Sequence, residues 1–183
     1  MRLIPELITE NLIISVLKPE NFELLVEFKK ENKDHLSQWE PIRSDEYFDL
    51  EETKASLINN FEKFESGSFI TLVGFNKEKT KIICLCTFSN ITYGVFQACN
   101  LGYSISVKEQ GKGLMFEMLQ RSIQYMFDEY KLHRIMANFI PSNARSEKLL
   151  DRLGFEKEGL AKSYLKIAGI WQDHVLTSKL NSN

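Results

Sequence analysis

Two glycines flank a lysine at the start of an apolar-periodic segment, in the stretch "SVKEQGKGLMFEML" from Ser106 to Leu119. Glycine adopts backbone conformations closed to other residues and lets a ligand approach the main chain closely. The first turn of a helix adds unpaired N–H groups and a partial positive charge, which together suit a phosphate. The stretch therefore indicates a phosphate site, although a tight turn that only starts a helix has the same letters.

Two well-known phosphate loops do not fit this stretch. A P-loop requires G-x-x-x-x-G-K-[ST], whereas Gly113 is followed by Leu114. A dinucleotide fingerprint requires a third glycine where Phe116 stands, and it lies early in a βαβ unit. Here three or four predicted strands come first, so the loop belongs to another class or is a plain turn.

Composition excludes several classes of protein. The chain has 183 residues, 43% of them hydrophobic and 26% charged, which fits one soluble domain over 1–183. A net charge of −2 gives no basic nucleic-acid footprint. No apolar run reaches the ~18 residues of a membrane helix, and Glu6 and Glu10 stand where a signal peptide would be apolar. We expect a cytoplasmic protein without direct nucleic-acid or membrane partners.

The three cysteines do not indicate a metal site. Cys84 and Cys86 lie on one face of a predicted strand, Cys99 follows later, and no histidine is close in sequence. A metal site needs more ligands at suitable spacing. We expect no metal, and small buried apolar side chains at these positions.

Hydrophobic periodicity predicts elements that place the glycine loop between a strand and a helix. The predicted strands are 11–17, 68–75, 81–88, 98–107, 133–141 and two within 163–180. The predicted helices begin near Pro19 or Asn21 and span 49–67, 112–130 and 143–153. This alternation favours an α/β protein with a mixed sheet and helices on both faces.

Three motifs in order carry a resemblance to a known family: "LGYSISVKEQGKGLMFEML", "HRIMANFIPSNARSEKLLDRLGFEKEG" and "GIWQDHVLT". Gln110 to Gly113 matches the pyrophosphate loop Q/R-x-x-G-x-G/A of the GNAT superfamily of N-acetyltransferases, with Met115 where Gly or Ala is usual. Together the motifs, over 101–180, resemble the ribosomal-protein-alanine acetyltransferases of the RimJ/RimL branch, with RimJ closest. The "WEP" of 39–41 extends the resemblance weakly into the first half.

The resemblance implies a single-domain GNAT-like fold with a largely antiparallel sheet and a splayed central strand pair. The strand before the loop would offer free backbone groups to the pantetheine amides of acetyl-CoA, and the loop amides would hold the pyrophosphate. The implied cofactor-binding residues are Tyr103, Ser104, Ile105, Gln110, Gly111, Lys112, Gly113, Leu114, Met115, Phe116, Asn143 and Ser146.

Acetyl transfer from a thioester to an amine needs a neutral amine, donors for the developing oxyanion and a proton for the leaving thiolate. Many superfamily members have a tyrosine acid at the position of Leu150, whereas the branch implies that the serine at Ser146 serves the thiolate. Asn143 would lie near the thiol and also cap a helix. Some relatives have a glutamate where this chain has Asn100, which is no base. Glu40 is our candidate for holding the incoming amine, with a solvated loop carboxylate as the alternative.

Three further residues match the family without an assigned step. Trp39 walls the substrate cleft or belongs to the core. Asp173 and His174 have no chemistry that we can assign, and a packed strand pair explains them more simply.

A missing base favours an N-terminal amine as the acceptor. An α-amine with a pKa of about 7.7–8.0 is roughly 10–20% neutral at pH 7, and a lysine well under about 0.1%. The predicted reaction is direct attack, in a ternary complex, by the α-amine of an alanine-starting ribosomal protein on acetyl-CoA. The enzyme would be a monomer or dimer. Two alternatives stay open: a polyamine or aminoglycoside acetyltransferase whose acidic segment Ser44–Glu52 lines the pocket, and a CoA-binding regulator without turnover.

Overall fold

The computed structural model describes residues 2–182 and builds them around an eight-stranded sheet. The strands are β1 (Glu6–Ile8), β2 (Ile13–Val16), β3 (Ile70–Phe75), β4 (Ile82–Thr92), β5 (Ala98–Ile105), β6 (Arg134–Met136), β7 (Glu156–Ile167) and β8 (Ile170–Leu180). The α-helices are α1 (Phe22–Leu36), α2 (Leu50–Ser66), α3 (Leu114–Tyr130) and α4 (Ala144–Arg152). Short 3₁₀ helices occupy Pro19–Asn21, Asp45–Phe48 and Val107–Glu109.

The sheet is mixed and largely antiparallel, as the sequence predicted. Its strand order is β1-β2-β3-β4-β5-β6-β8-β7, and only the β5–β6 pair is parallel. Alternate residues of a strand face opposite sides, so Leu72 joins the cluster that contains Met118 of α3, and Val73 joins the cluster that contains Phe28 of α1 and Leu57 of α2. Helices therefore cover both faces.

The β5–β6 pair splays, and this positions the site. Ala98–Asn100 pairs with Arg134–Met136, whereas Leu101–Ile105 pairs with β4 alone. After Met136 the chain leaves β5 and continues along β8, where Ala137 N–H donates to Thr177 O and Phe139 forms a bridge with Val175. The second half of β5 therefore presents one bare edge, and this confirms the splayed pair.

Several predicted boundaries were wrong. β1 was missed, because three residues are too few to show a period. The strand predicted over 133–141 ends at Met136, and the helix predicted from Lys112 begins at Leu114 because Gly113 is left-handed, with φ at +81°. β7 begins at Glu156 rather than within 163–180, since its first half is an exposed, charged edge without apolar alternation.

Two findings bear on the classes considered above. Cys84, Cys86 and Cys99 are free and buried in the core, as predicted. Among residues 2–182, no helix is long and apolar enough to cross a membrane.

Candidate active site

Two cavities meet beside the bare edge of β5. The larger cavity, of about 910 Å³, lies between β5, the glycine loop and the start of α4. The smaller cavity, of about 370 Å³, lies between α1, the segment 37–48 and the turn between β7 and β8. Leu36, Gln38 and Ser104 line both. The two cavities are therefore neighbours that share a wall at these three residues.

Most of the predicted cofactor residues line the larger cavity. They are Tyr103, Ser104, Ile105, Gln110, Gly111, Gly113, Leu114, Met115, Phe116, Asn143 and Ser146. Lys112 does not line it, and its Nζ pairs with Glu109 Oε2 at 2.8 Å. Met115, where the family usually has Gly or Ala, is 8% exposed and belongs to the main core. Trp39 lines this cavity too.

The glycine loop needs its glycines for backbone conformation. Gly111 and Gly113 have φ of +76° and +81°, which other residues rarely adopt. A Cβ added at either position would meet no atom within 4 Å, so the space above the loop is open. Gly113 caps α3, and the first N–H groups of a helix lack partners within it. The loop thus presents backbone donors to an open cavity.

A hydrogen-bonded clasp of His35, Gln110 and Arg145 lies in the lining of the larger cavity. Gln110 Nε2 lies 2.6 Å from His35 Nε2, and Arg145 donates to Gln110 Oε1. Burial, and after it the charge of Arg145, lower the pKa of His35 below its ordinary value. The lowered pKa favours the neutral imidazole, whose Nε2 accepts a hydrogen bond from the Gln110 side-chain N–H. Sequence reasoning missed both partners: His35 lies 75 positions away from Gln110, and Arg145 sits unnoticed between Asn143 and Ser146.

Asn143 and Ser146 lie together at the start of α4. The Asn143 side chain accepts a hydrogen bond of 3.1 Å from the backbone N–H of Ser146, so Asn143 is a helix cap, as predicted. The Ser146 hydroxyl takes no part in this cap. Leu150, at the position of the usual tyrosine acid, is 1% exposed in the core and lines neither cavity.

The side chain of Tyr103 adds a group that the sequence did not reveal. Its hydroxyl is buried and has no hydrogen-bond partner among the described residues. Burial raises the pKa of Tyr103 to about 12, and the adjacent Ser146 side chain works against that rise, although the two hydroxyls do not meet hydrogen-bond geometry. A protonated phenol therefore stands beside Ser146 at neutral pH.

Most residues that line the smaller cavity are apolar or aromatic, and among them stand three cations and one carboxylate. The cations are Lys29, Lys33 and Arg43, and the carboxylate is Glu40. Arg43 Nε lies 3.4 Å from Glu40 Oε2, and the Glu40 carbonyl accepts a hydrogen bond of 2.9 Å from Ala168 N–H. That backbone bond fixes the segment 37–48 to the β7–β8 turn.

Lys29 is the most enclosed of these cations. Its Nζ donates to Tyr47 O and Thr53 Oγ1, both at 3.0 Å, and lies 3.9 Å from the centroid of the Tyr47 ring. Burial, and then the charge of Arg43, lower the pKa of Lys29 to about 8. The ammonium group is thus partly buried, and the groups in contact with it are neutral.

The remaining candidate residues lie outside both cavities. Asn100 belongs to the paired part of β5, opposite Ser89 and Met136. Asp173 Oδ1 accepts a hydrogen bond of 2.8 Å from Ser163 N–H, and His174 is 4% exposed with Nδ1 3.0 Å from Gln172 O. The last two act within the β7–β8 hairpin. Among residues 2–182 no group of three or more His, Cys, Asp or Glu side chains is placed to hold a metal ion.

Comparison with known proteins agrees with this geometry. The Acetyltransferase (GNAT) domain family matches residues 11–156. The [ribosomal protein uS5]-alanine N-acetyltransferase of Escherichia coli (strain K12) is 45% identical over 174 residues, which cover 94% of this chain and 89% of that one.

Solved structures show the same fold. The crystal structure of a ribosomal-protein-S5-alanine acetyltransferase from Vibrio fischeri has a TM-score of 0.94 and 38% identity, covering 98% of both chains. Mycobacterium smegmatis RimJ, solved in complex with CoA-disulfide, has a TM-score of 0.84 and 22% identity, covering 93% of this chain and 85% of that one. The second likeness is one of fold alone.

Proposed function

This chain belongs to the GNAT family of acetyltransferases, and on that premise we propose that it acetylates the N-terminal amine of a ribosomal protein that begins with alanine. Enzymes of this family use acetyl-CoA. The observation that carries the proposal is the meeting of two cavities at Ser104, beside the bare edge of β5. The identity of 45% with an alanine N-acetyltransferase supports the acceptor, and residues 1–183 would form one domain.

The larger cavity would hold acetyl-CoA. The bare backbone edge at Tyr103, Ser104 and Ile105 would pair with the pantetheine amides, since an unpaired strand edge offers N–H and C=O groups in a row. The first-turn amides of α3 would hold the pyrophosphate. Arg145 and Arg152 of α4 also line this cavity and would add positive charge near the phosphates.

Acetyl-CoA supplies the acetyl group as a thioester, and the chain supplies position and protons. The neutral amine attacks the carbonyl carbon while backbone N–H groups of β5 stabilise the charge that develops on the oxygen. The C–S bond breaks, and Ser146 gives the departing sulfur a proton. The new amide nitrogen loses its extra proton to water, and water returns a proton to Ser146. Glu40 would hold the incoming amine from the smaller cavity.

The smaller cavity argues against a polyamine or aminoglycoside as acceptor. The acidic segment Ser44–Glu52 contributes the aromatic residues Tyr47 and Phe48 to the lining, and none of its carboxylates. Lys29, Lys33 and Arg43 would instead repel a polycation. The charge distribution therefore favours a peptide N-terminus.

Release of free thiol from acetyl-CoA tests the proposal. We expect turnover with Ala-starting peptides above that with Ser- or Met-starting peptides. The same Ala peptide with a blocked α-amine and free lysines should give none, and neither should spermidine, because a lysine amine is almost fully protonated at pH 7. Robust acetylation of the blocked peptide would contradict the proposal and require another base. Binding of acetyl-CoA without turnover on any of these acceptors would make the protein a CoA-binding regulator.

A further inference from the structure

We propose that the smaller cavity selects acceptor N-termini that carry an acidic side chain at residue 2, 3 or 4. This inference rests on the proposed function and names the substrate class more narrowly. It follows from the charge, the pairing and the size of that cavity.

The lining of the smaller cavity has a surplus of positive charge. Lys29, Lys33 and Arg43 face one carboxylate, Glu40. Arg43 is neutralised by Glu40 at 3.4 Å, and Lys33 lies 3.3 Å from Asp45, whose side chain is 97% exposed and outside the lining. A solvated partner of this kind contributes little and exchanges readily. Lys33 is thus open to a competing carboxylate.

Lys29 has no carboxylate partner at all within 4.0 Å among the described residues. Its hydrogen bonds go to a carbonyl and a hydroxyl, and the Tyr47 ring centroid lies 3.9 Å from Nζ, so none of these contacts carries a negative charge. The charges of Glu52 and Glu40 act on Lys29 only from beyond ion-pair distance, so the cost of its lost water is offset only in part. A carboxylate in the cavity would remove that cost, and it would raise the lowered pKa of Lys29.

The size of the cavity limits how far along the acceptor this selection reaches. At about 370 Å³ it lies near the lower end of ligand cavities, which are roughly 300–1,000 Å³. The amine must stand at the junction near Ser104 in order to meet the thioester. An extended chain advances about 3.3–3.6 Å per residue, so a cavity of this size admits only the first few side chains after the amine, which we take as those of residues 2 to 4.

Three sets of three peptides test the selection, one set for each of residues 2, 3 and 4. All begin with alanine, and within a set the peptides carry Glu, Gln or Lys at that one position with the rest constant. We expect kcat/KM to be about 10-fold higher for the best Glu peptide than for its Gln counterpart and lower still for Lys, mainly through KM. The preference should shrink in high salt, because the interaction is partly screened.

Variants assign the preference to the cavity. Lys33 lies on the surface of α1, and Lys33→Glu should reverse the order of kcat/KM, so that the Lys peptide becomes the better substrate. Lys29→Gln should reduce the differences in kcat/KM among the peptides. Lys54→Gln is the matched control, since Lys54 contacts the Phe22 ring and lies outside the cavity, and it should leave the preference intact.

The outcomes separate this inference from the proposed function. No turnover on any Ala-starting peptide would overturn the proposed function. Equal turnover on the Glu, Gln and Lys peptides would leave that function standing and overturn the charge selection. An acidic preference that survives Lys33→Glu unchanged would also overturn it, even if Lys29→Gln fails to fold.

Discussion

The two cavities that meet at Ser104 are built in opposite ways. The larger cavity uses main-chain groups from a bare strand edge and a helix start, within short contiguous segments. The smaller cavity uses side chains from α1, the segment 37–48 and the distant turn at Ala168. A site built from backbone tolerates changes of side chain but no change of chain path, whereas a site built from side chains behaves in the reverse way. Substitutions can test this contrast.

The largest effect is expected at the glycine loop. Gly113→Val forces a β-branched residue into a left-handed conformation and withdraws amides from the pyrophosphate. Two hydrogen bonds to a charged group, at about 1.5–3 kcal/mol each, correspond to roughly 10²–10⁴ in affinity for acetyl-CoA. Calorimetric titration with acetyl-CoA measures the loss.

Gly94 provides the matched control for that change. It has φ of +75° and open space where a Cβ would lie, yet it stands in the turn between β4 and β5. Gly94→Val should cost similar stability and leave the affinity for acetyl-CoA unchanged. If both variants bind acetyl-CoA with equal affinity, the loop at Gly113 is a plain turn without a role in binding.

A smaller effect is expected at Ser146. Ser146→Ala should lower kcat by about 10–10³-fold, since a positioned acid contributes about 10²–10⁴ and water partly replaces it. KM for acetyl-CoA should change far less. The Asn143 cap survives, because it uses the backbone N–H of residue 146, and Ser146→Thr should restore part of kcat. A raised KM with intact kcat would mean that Ser146 only holds the cofactor, and lost thermal stability alone would leave it a structural residue.

A smaller effect is expected at Tyr103, where removal of the hydroxyl should raise stability and lower activity. Tyr103→Phe removes a buried hydroxyl without a partner, so the ligand-free protein should gain about 1 kcal/mol of unfolding free energy. If that hydroxyl supports Ser146 during proton transfer, kcat should fall roughly 3- to 10-fold. Tyr130→Phe removes another buried hydroxyl that has no hydrogen-bond partner among the described residues, outside the lining of both cavities, and should change stability alone. Identical kcat in the two variants would exclude a role for the Tyr103 hydroxyl.

The smallest effect concerns the clasp of His35, Gln110 and Arg145, which joins α1 to the glycine loop and to α4. Because burial lowers the pKa of His35, the unfolded chain binds the proton more tightly than the folded one. The contribution of neutral His35 is present above its unfolded value of 6.5 and is lost as the pH falls below it. Urea unfolding between pH 7.5 and 5 should therefore show a decline that His35→Gln reduces. The His133→Gln variant, at an exposed site, should keep the decline. If both variants keep the original slope of unfolding free energy against pH, His35 does not stabilise the fold through the clasp.

The same contrast explains how far the sequence could be interpreted. The larger cavity was predictable because glycine positions and a helix start leave local signatures, and eleven of its lining residues were named in advance. Lys29 and Lys33 were missed, since two lysines on a helix resemble a solvated face until the segment 37–48 folds over them. The clasp between His35 and Gln110 was missed because no local pattern joins residues so distant in the chain. The early start of β7 was missed because an exposed edge has no apolar alternation.

The bare edge of β5 also has a consequence for aggregation. Leu101–Ile105 has an open side in the middle of a sheet, and an open strand edge is a template for pairing with other chains. Under the proposed function, pantetheine fills that side and works as a temporary extra strand. A ligand that binds only the folded state protects it by mass action. The co-substrate would thus act as a shield against aggregation, and a shortage of acetyl-CoA would expose the enzyme to misassembly as well as leave it idle.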